Sequence, residues 1–397
     1  MSPVNVRLSI MMFLQFFVWG AWYVTVGNYM TEIGLSDAIY WAYTVSPIAG
    51  IVSPFFLGMV ADRYFATEKI LGVLHLLGAV AMVAVPFTTH SSTLFIGALL
   101  LHVLCYMPTL GLSNTLAFHH ITDQKRQFPI IRVFGTFGWI ASNILVSGVL
   151  HADRTALPLY TAAAAGIVLA VYSFTLPHTP PPAAGDAPTI RTILGLDALQ
   201  RLWSRPFAVF AVSSLLISIP LSAYYAYAPV FVAEAGLENP AFKMSFGQMS
   251  EVLFMILMPL CFRRLGVKWM LIAGMGAWVL RYGVFAWAAP SGAFWPIMVG
   301  ILLHGICYDF FFVTGQIYVD QSAPPEIRGQ AQGFLVLLTY GVGMLVGAQI
   351  SGWIWTPLVP DPAVLIDWQT FWLVPAVFAA VVMAGFAILF PSYKEEA

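Results

Sequence analysis

The segment 8–30, LSIMMFLQFFVWGAWYVTVGNYM, contains no Asp, Glu, Lys, Arg or His. A helix of about 20 apolar residues is long enough to cross the hydrocarbon core of a bilayer. The apolar run also exceeds the 7–15 residues of a secretory signal core. We therefore expect a first membrane-spanning helix that remains part of the protein.

The composition of the whole chain agrees with a membrane solvent. Hydrophobic residues make up 60% of the 397 residues, charged residues 9%, and the mean hydropathy is +0.83. An average soluble domain carries roughly 25% charged residues. The net charge of -1 gives no reason to expect nucleic acid as a partner.

Hydropathy predicts an all-α membrane protein with twelve transmembrane helices. The segments are 8–30, 39–60, 70–88, 93–117, 129–150, 157–176, 207–232, 243–262, 269–289, 293–318, 330–355 and 369–391. The proline-rich stretch after the sixth segment predicts a cytoplasmic linker that ends in a short surface helix. The expected domains are an N-terminal six-helix bundle (1–176), this linker (177–206) and a C-terminal six-helix bundle (207–397).

Basic residues predict the orientation. With both termini on one side of the membrane, thirteen basic residues fall on that side and two, Arg154 and Lys243, on the other. The thirteen are Arg7, Arg63, Lys69, Lys125, Arg126, Arg191, Arg201, Arg205, Arg263, Arg264, Lys268, Arg328 and Lys394. The positive-inside rule then places both termini in the cytoplasm.

The chain repeats itself at about half its length. Pro129-Ile-Ile-Arg132 opens the fifth segment, and Pro325-Glu-Ile-Arg328 precedes the eleventh. Two six-helix halves resemble the major facilitator superfamily fold, in which substrate binds near the membrane midplane. The loop that contains Asp62 and Arg63 resembles that superfamily's signature. This resemblance implies a cytoplasmic gate, with an ordinary basic turn as the alternative.

Four ionisable side chains lie inside segments of otherwise lipid-compatible composition: Arg132, Glu251, Arg281 and Asp309. Each such charge costs about 2.5–3.5 kcal/mol on insertion scales, so it is expected to face a partner, a cavity or a pathway. These residues are the starting point for a functional site.

In the first half, Arg132, Thr136 and Trp139 recur at i, i+4 and i+7, on one face of a helix. A guanidinium, a hydroxyl and an aromatic ring can bind a polyhydroxylated ring compound. The alternative is that Arg132 extends to the cytoplasmic surface and Trp139 only packs. Gln15 and Trp19 on the first segment are interpreted as core packing.

In the second half, Gln248 and Glu251 lie at i and i+3 on one helix face, as a binding pair or a structural one. Tyr308 lies beside Asp309, and Arg281 is the expected counter-ion of Asp309. A static ion pair would only neutralise two buried charges. The functional interpretation is that Asp309 loads and releases a proton.

Several strings resemble the bacterial nucleoside:proton symporter family of the major facilitator superfamily. They are LQFFVWGAWYVTVGNYM (14–30), YMPTLGLSNT (106–115), IRVFGTFGW (131–139), QMSEVLFMILMP (248–259), YDFFFVTG (308–315) and DWQTFWL (367–373).

The resemblance implies proton-coupled nucleoside uptake across the inner membrane by alternating access. It implies substrate binding by Arg132, Thr136, Trp139, Ser222, Tyr225, Gln248, Glu251 and Tyr308, and proton coupling by Asp309, Arg281 and Glu251. Where the family has an amide pair on the seventh helix, this chain has Ser222 and Tyr225. The alternative is a proton-coupled sugar or oligosaccharide symporter of the same fold.

Other classes of function find little support in the sequence. The acidic residues at membrane depth are far apart in sequence, so an enzyme is not expected, and no repeated filter motif indicates a channel. No cofactor or metal site is expected. We expect a monomer in the bacterial inner membrane.

Overall fold

The computed structural model describes residues 2–56, 65–181 and 196–391, and throughout these ranges the regular elements are helical. The α-helices are α1 Pro3–Tyr23, α2 Val26–Glu32, α3 Ile39–Phe56, α4 Thr67–Ala84, α5 Ser92–His120, α6 Gln124–Asn143, α7 Leu157–Ser173, α8 Leu196–Leu202, α9 Arg205–Glu234, α10 Pro240–Ala288, α11 Phe294–Leu302, α12 His304–Tyr308, α13 Thr314–Ser322, α14 Arg328–Val336, α15 Met344–Leu358 and α16 Asp367–Leu389. Three π-helical segments, Ile144–Val149, Asp309–Val313 and Leu337–Gly343, continue helices without a break.

Within the described ranges, nine helical runs are long and apolar enough to span a membrane. They are Pro3–Glu32, Thr67–Thr88, Ser92–His120, Arg126–Val149, Arg205–Glu234, Pro240–Ser291, Phe294–Ser322, Pro325–Leu358 and Asp367–Leu389.

One of these runs is two helices joined end to end. Pro240–Ser291 is 52 residues long, and Gly266 inside it has φ 67° and ψ 175°. Only glycine adopts this conformation without strain, so the helix direction changes here. The break lies between the predicted eighth and ninth spans. The shorter helices α3 and α7 correspond to the predicted second and sixth spans, so each of the twelve predicted spans has a helix among the described residues. Residues 57–60 of the second span lie outside the described residues.

The chain folds as two compact units, Met1–Thr189 (the first unit) and Ile190–Ala397 (the second unit). Inside each unit the first span packs against the fifth: α1 against α6, and α9 against α15. Residues 182–195 of the predicted linker lie outside the described residues. The predicted gate residues Asp62 and Arg63 also lie outside them. The linker's predicted helix corresponds to α8, which packs against α14.

Glycine makes the same close approach in both units. A Cβ on Gly138 of α6 would overlap the carbonyl oxygen of Phe13 in α1, and a Cβ on Gly347 of α15 would lie 2.8 Å from Cα of Ile219 in α9. Small residues let helix backbones approach closely in membranes. In each unit, a glycine thus brings the first and fifth spans into close contact.

The outer faces of the helices expose aliphatic side chains. Val80 and Val171 are 63% exposed, Val377 is 61% exposed and Ile388 is 82% exposed. Such broad apolar exposure is unusual for a soluble protein and fits helices surrounded by lipid.

Candidate functional site

In the first unit, the contact between α1 and α6 fixes the predicted binding face. Besides the approach at Gly138, a Cβ on Gly135 would lie 2.6 Å from the Phe16 ring. A larger side chain at Gly138 would have to move the backbone of α1, and one at Gly135 would have to displace the Phe16 ring. The face of α6 that carries Arg132, Thr136 and Trp139 is therefore held in one rotation against α1.

Trp139 belongs to an aromatic cluster with Trp19 and Tyr23 of α1. Its ring lies 5.5 Å from Trp19 and 6.0 Å from Tyr23, edge to face in both cases. Trp19 and Trp139 are each half-buried, and no described residue accepts a hydrogen bond from their indole N–H groups. The cluster offers flat apolar surface together with two polar N–H groups. Trp19, which the sequence analysis interpreted as core packing, thus contributes a second aromatic ring to the face that carries Trp139.

Arg132 lies deeper in its helix than the sequence indicated. Asp123 caps α6 by accepting from the backbone N–H of Arg126 at 3.1 Å, so the helix begins at Gln124 rather than Pro129. Arg132 lies eight positions after Gln124, which corresponds to about 12 Å along the axis. The guanidinium carbon of Arg132 lies 4.1 Å from the centre of the Phe16 ring. This cation–π contact directs the charge toward α1.

Gln15 lies in the core of the first unit, as the sequence indicated. Its side-chain NH₂ donates to Thr109 Oγ1 at 2.6 Å, its carbonyl oxygen lies 2.9 Å from Nε2 of His75, and it has no exposed surface. The hydroxyl of Tyr106 donates to the backbone carbonyl of Gln15 at 2.7 Å. These bonds satisfy polar groups at membrane depth and hold α1, α4 and α5 together.

In the second unit, α10 and α12 come into backbone contact. A Cβ on Gly305 would lie 2.6 Å from the carbonyl carbon of Ser250, and the backbone N–H of Gly305 donates to Ser250 Oγ at 2.9 Å. This approach places the residue before Gly305 directly opposite the residue after Ser250. Those two residues are His304 and Glu251.

His304 and Glu251 form a close polar pair. Nε2 of His304 lies 2.8 Å from Oε1 of Glu251; the His304 side chain is 1% exposed, whereas that of Glu251 is 18% exposed. Gln248, one turn earlier on α10, is also half-buried. The Gln248 and Glu251 face therefore remains partly accessible, with a buried imidazole behind the carboxylate.

The expected ion pair between Arg281 and Asp309 does not form. The Arg281 Nε donates to the carbonyl oxygen of Gly300 at 3.0 Å, and its guanidinium carbon lies 4.0 Å from the centre of the Tyr224 ring. Among the described residues, neither oxygen of the Asp309 carboxylate has a hydrogen-bond partner, and Asp309 has no exposed surface. The ring of Tyr224 thus contacts the Arg281 guanidinium, where the sequence predicted the carboxylate of Asp309.

Asp309 is the first residue of the π-helical segment Asp309–Val313. π-helical turns are rare and occur frequently at functional sites. The extra residue in the turn rotates the side chains that follow relative to those of α12. A regular 3.6-residue period carried across this segment therefore does not give the true facing of the residues that follow it.

The remaining predicted site residues of the second unit differ in their surroundings. Ser222 has no exposed surface, and its Cβ lies against Gly347 of α15. Tyr225 is half-buried, with its ring 6.2 Å from that of His304. Tyr308 accepts a hydrogen bond at 2.6 Å from the hydroxyl of Tyr340. Tyr225 and Tyr308 thus lie near His304, the partner of Glu251. Ser222 instead lies at the contact between α9 and α15.

Comparison with known proteins identifies the family. The sequence model described as Nucleoside H⁺ symporter matches residues 2–395. The chain belongs to this family.

Relatives of this symporter match over nearly their whole length. The putative nucleoside transporter YegT of Escherichia coli (strain K12) is 38% identical over 98% of this chain and 94% of its own. The xanthosine permease of the same organism is 32% identical over 95% and 93%. A crystal structure of the nucleoside transporter NupG is 29% identical, covers 99% of this chain and 100% of its own, and has a TM-score of 0.87.

These comparisons confirm the predicted fold class and family. The symporter has the fold of the major facilitator superfamily, and its family is one of transporters and not of enzymes. The sequence placed His304 on one stripe with Tyr308 but did not identify it as the partner of Glu251, and it did not identify Tyr224 as the ring beneath Arg281. The signal for His304 was its polar character four residues before Tyr308 on one helix stripe, but nothing in the sequence paired it with Glu251.

Proposed function

We propose that this protein carries nucleosides into the cell together with protons, by alternating access. Membership in the nucleoside H⁺ symporter family supports the substrate class and the coupling ion. The proposal requires one group that binds nucleoside and another that carries a proton through the transport cycle.

The observation that carries the proposal is the contrast between two acids of the second unit. Glu251 is partly accessible and hydrogen-bonded to His304, whereas Asp309 is fully buried and both of its oxygens lack a partner within the described chain. An unpaired ionised carboxylate at such depth is costly. This environment accommodates Asp309 in its protonated form, while Glu251 is placed to accept hydrogen bonds from a ligand.

We assign nucleoside binding to partly accessible polar and aromatic groups in each unit. The first unit supplies Arg132, Thr136 and Trp139, and the half-buried indole of Trp139 offers a surface for stacking a base.

From the second unit we assign Gln248, Glu251, Tyr225 and Tyr308 to the substrate. Amide and carboxylate groups can bond ribose hydroxyls or a base edge. Ser222 is left out because it is buried against Gly347. Arg281 is not assigned as the counter-ion of Asp309, because its guanidinium lies over the Tyr224 ring.

We further propose that both termini are cytoplasmic, that the membrane is the bacterial inner membrane, and that the protein works as a monomer. The thirteen-to-two distribution of basic residues supports the orientation.

Transport by purified protein in liposomes tests this function. Labelled nucleoside should accumulate when the inside is made alkaline, and the accumulation should collapse when a protonophore removes the gradient. Excess unlabelled nucleoside should compete, and a disaccharide should not. Accumulation of labelled disaccharide in the same liposomes, with no accumulation of labelled nucleoside, would contradict the proposal in favour of a sugar symporter.

A further inference from the structure

His304 is held on two sides inside the second unit. Its ring stacks on Tyr224 at 5.3 Å with an interplanar angle of 19°, and its Nε2 lies 2.8 Å from Oε1 of Glu251. Tyr224 in turn carries the guanidinium of Arg281 on its ring. The imidazole is therefore stacked on Tyr224 through its face and contacts the Glu251 carboxylate through its edge.

The backbone of α10 leaves room for this imidazole. A Cβ on Gly247 would lie 3.1 Å from the Cβ of His304, closer than ordinary side-chain contacts. One turn later, the bond from the Gly305 backbone N–H to Ser250 Oγ fixes the register of α12 against α10. The pair thus depends on a fixed helix contact, and not on two flexible side chains meeting.

The chemistry of the pair defines the direction of the hydrogen bond. An ionised carboxylate only accepts, so the imidazole tautomer with its proton on Nε2 is the one that satisfies Glu251. Hydrogen bonds to charged groups are shorter and stronger than neutral ones. This donor therefore restrains the orientation of the Glu251 carboxylate oxygen that it contacts.

We propose that His304 is a positioning residue for the nucleoside site, acting through Glu251. Its Nε2–H holds the Glu251 carboxylate in the orientation in which the exposed part of that group meets the substrate. This inference rests on the proposed function. Because His304 is 1% exposed and Glu251 18% exposed, substrate can reach the carboxylate but not the imidazole.

Nucleoside affinity of purified full-length variants tests the proposal. His304→Phe keeps the ring and its stacking but removes the donor, and should weaken binding by about tenfold or more, as for loss of a bond to a charged group. His304→Gln can place an amide N–H near the Nε2 position and should restore most of the affinity. His304→Asn is too short to do so and should behave like the Phe variant.

A double-mutant cycle separates positioning from a general structural effect. In a Glu251→Ala background, where nucleoside binding is already weakened, His304→Phe should cause no further loss, because its effect passes through the missing carboxylate. His102→Phe is the matched control. His102 is another buried histidine, but its Nδ1 lies 2.8 Å from the backbone carbonyl of Gly78 in the first unit, so its loss should leave nucleoside affinity unchanged.

Two results would overturn the inference while leaving the proposed function standing. One is unchanged affinity in His304→Phe although Glu251→Ala binds weakly. The other is equal loss from His304→Phe with and without Glu251. If the unaltered protein binds no nucleoside at all, the proposed function itself fails.

Discussion

Replacing Asp309 by asparagine should uncouple transport without unfolding the protein. Asp309 has no exposed surface, and its carboxylate oxygens have no partner among the described residues. An ionised group there costs about 2.5–3.5 kcal/mol. Asparagine is similar in size and polarity to the protonated acid and never incurs that cost. We therefore expect the unfolding free energy of Asp309→Asn to stay within about 1 kcal/mol of the unaltered protein.

The transport defect has a calculable size. A proton gradient of one pH unit stores about 1.4 kcal/mol per proton, so symport of one proton with one nucleoside can sustain at most about tenfold accumulation. Without a carrier of that proton, the internal concentration should only reach the external one. Exchange of labelled for unlabelled nucleoside should persist, because Gln248 and Glu251 are unchanged.

Liposomes with an alkaline interior provide the assay for accumulation, and preloaded liposomes provide the assay for exchange. Asp361→Asn is the matched control, since Asp361 is an exposed loop residue of the same unit and undergoes the same chemical change. It should accumulate nucleoside normally. Gradient-dependent accumulation by Asp309→Asn would refute the reasoning and make Glu251 the better candidate for proton coupling.

Three further outcomes are expected. Gln248→Ala and Glu251→Ala should each weaken nucleoside binding by about 1–3 kcal/mol in calorimetric titrations, because buried polar partners are costly to lose; wild-type affinity in either variant would move the site elsewhere. Trp139→Phe should retain uptake and Trp139→Ala should lose most of it, since stacking contributes about 0.5–1.5 kcal/mol beyond burial; equal uptake by the Ala variant and the unaltered protein would leave Trp139 as packing. Gly138→Ala should lower the melting temperature through a clash with α1 that costs about 1–3 kcal/mol, whereas Gly97→Ala, which meets open space, should not; matching melting temperatures would contradict the close helix contact.

The sequence alone determined the spans and their number. Hydrocarbon offers no hydrogen bonds to the backbone, so each crossing of this protein must be a helix of sufficient apolar length. Such a helix is recognisable from one continuous apolar segment of the sequence. Even the break between the eighth and ninth spans was visible as a short basic stretch that contains Gly266. The sequence also indicated the candidate binding residues on α6 and α10, because the helical period determines which side chains share a face.

Only the tertiary structure decided which faces meet. A helix's own period does not give its rotation or depth against a neighbour, and here glycine contacts such as Gly305 against Ser250 set both. That is why Glu251 meets His304, and why Arg281 lies over Tyr224 instead of beside Asp309. The π-helical turn that begins at Asp309 shifts the facing of the residues after it. The two residues of each pair lie tens of positions apart in the sequence. They meet because the helix backbones approach closely, and the spacing of residues within one helix does not predict that approach.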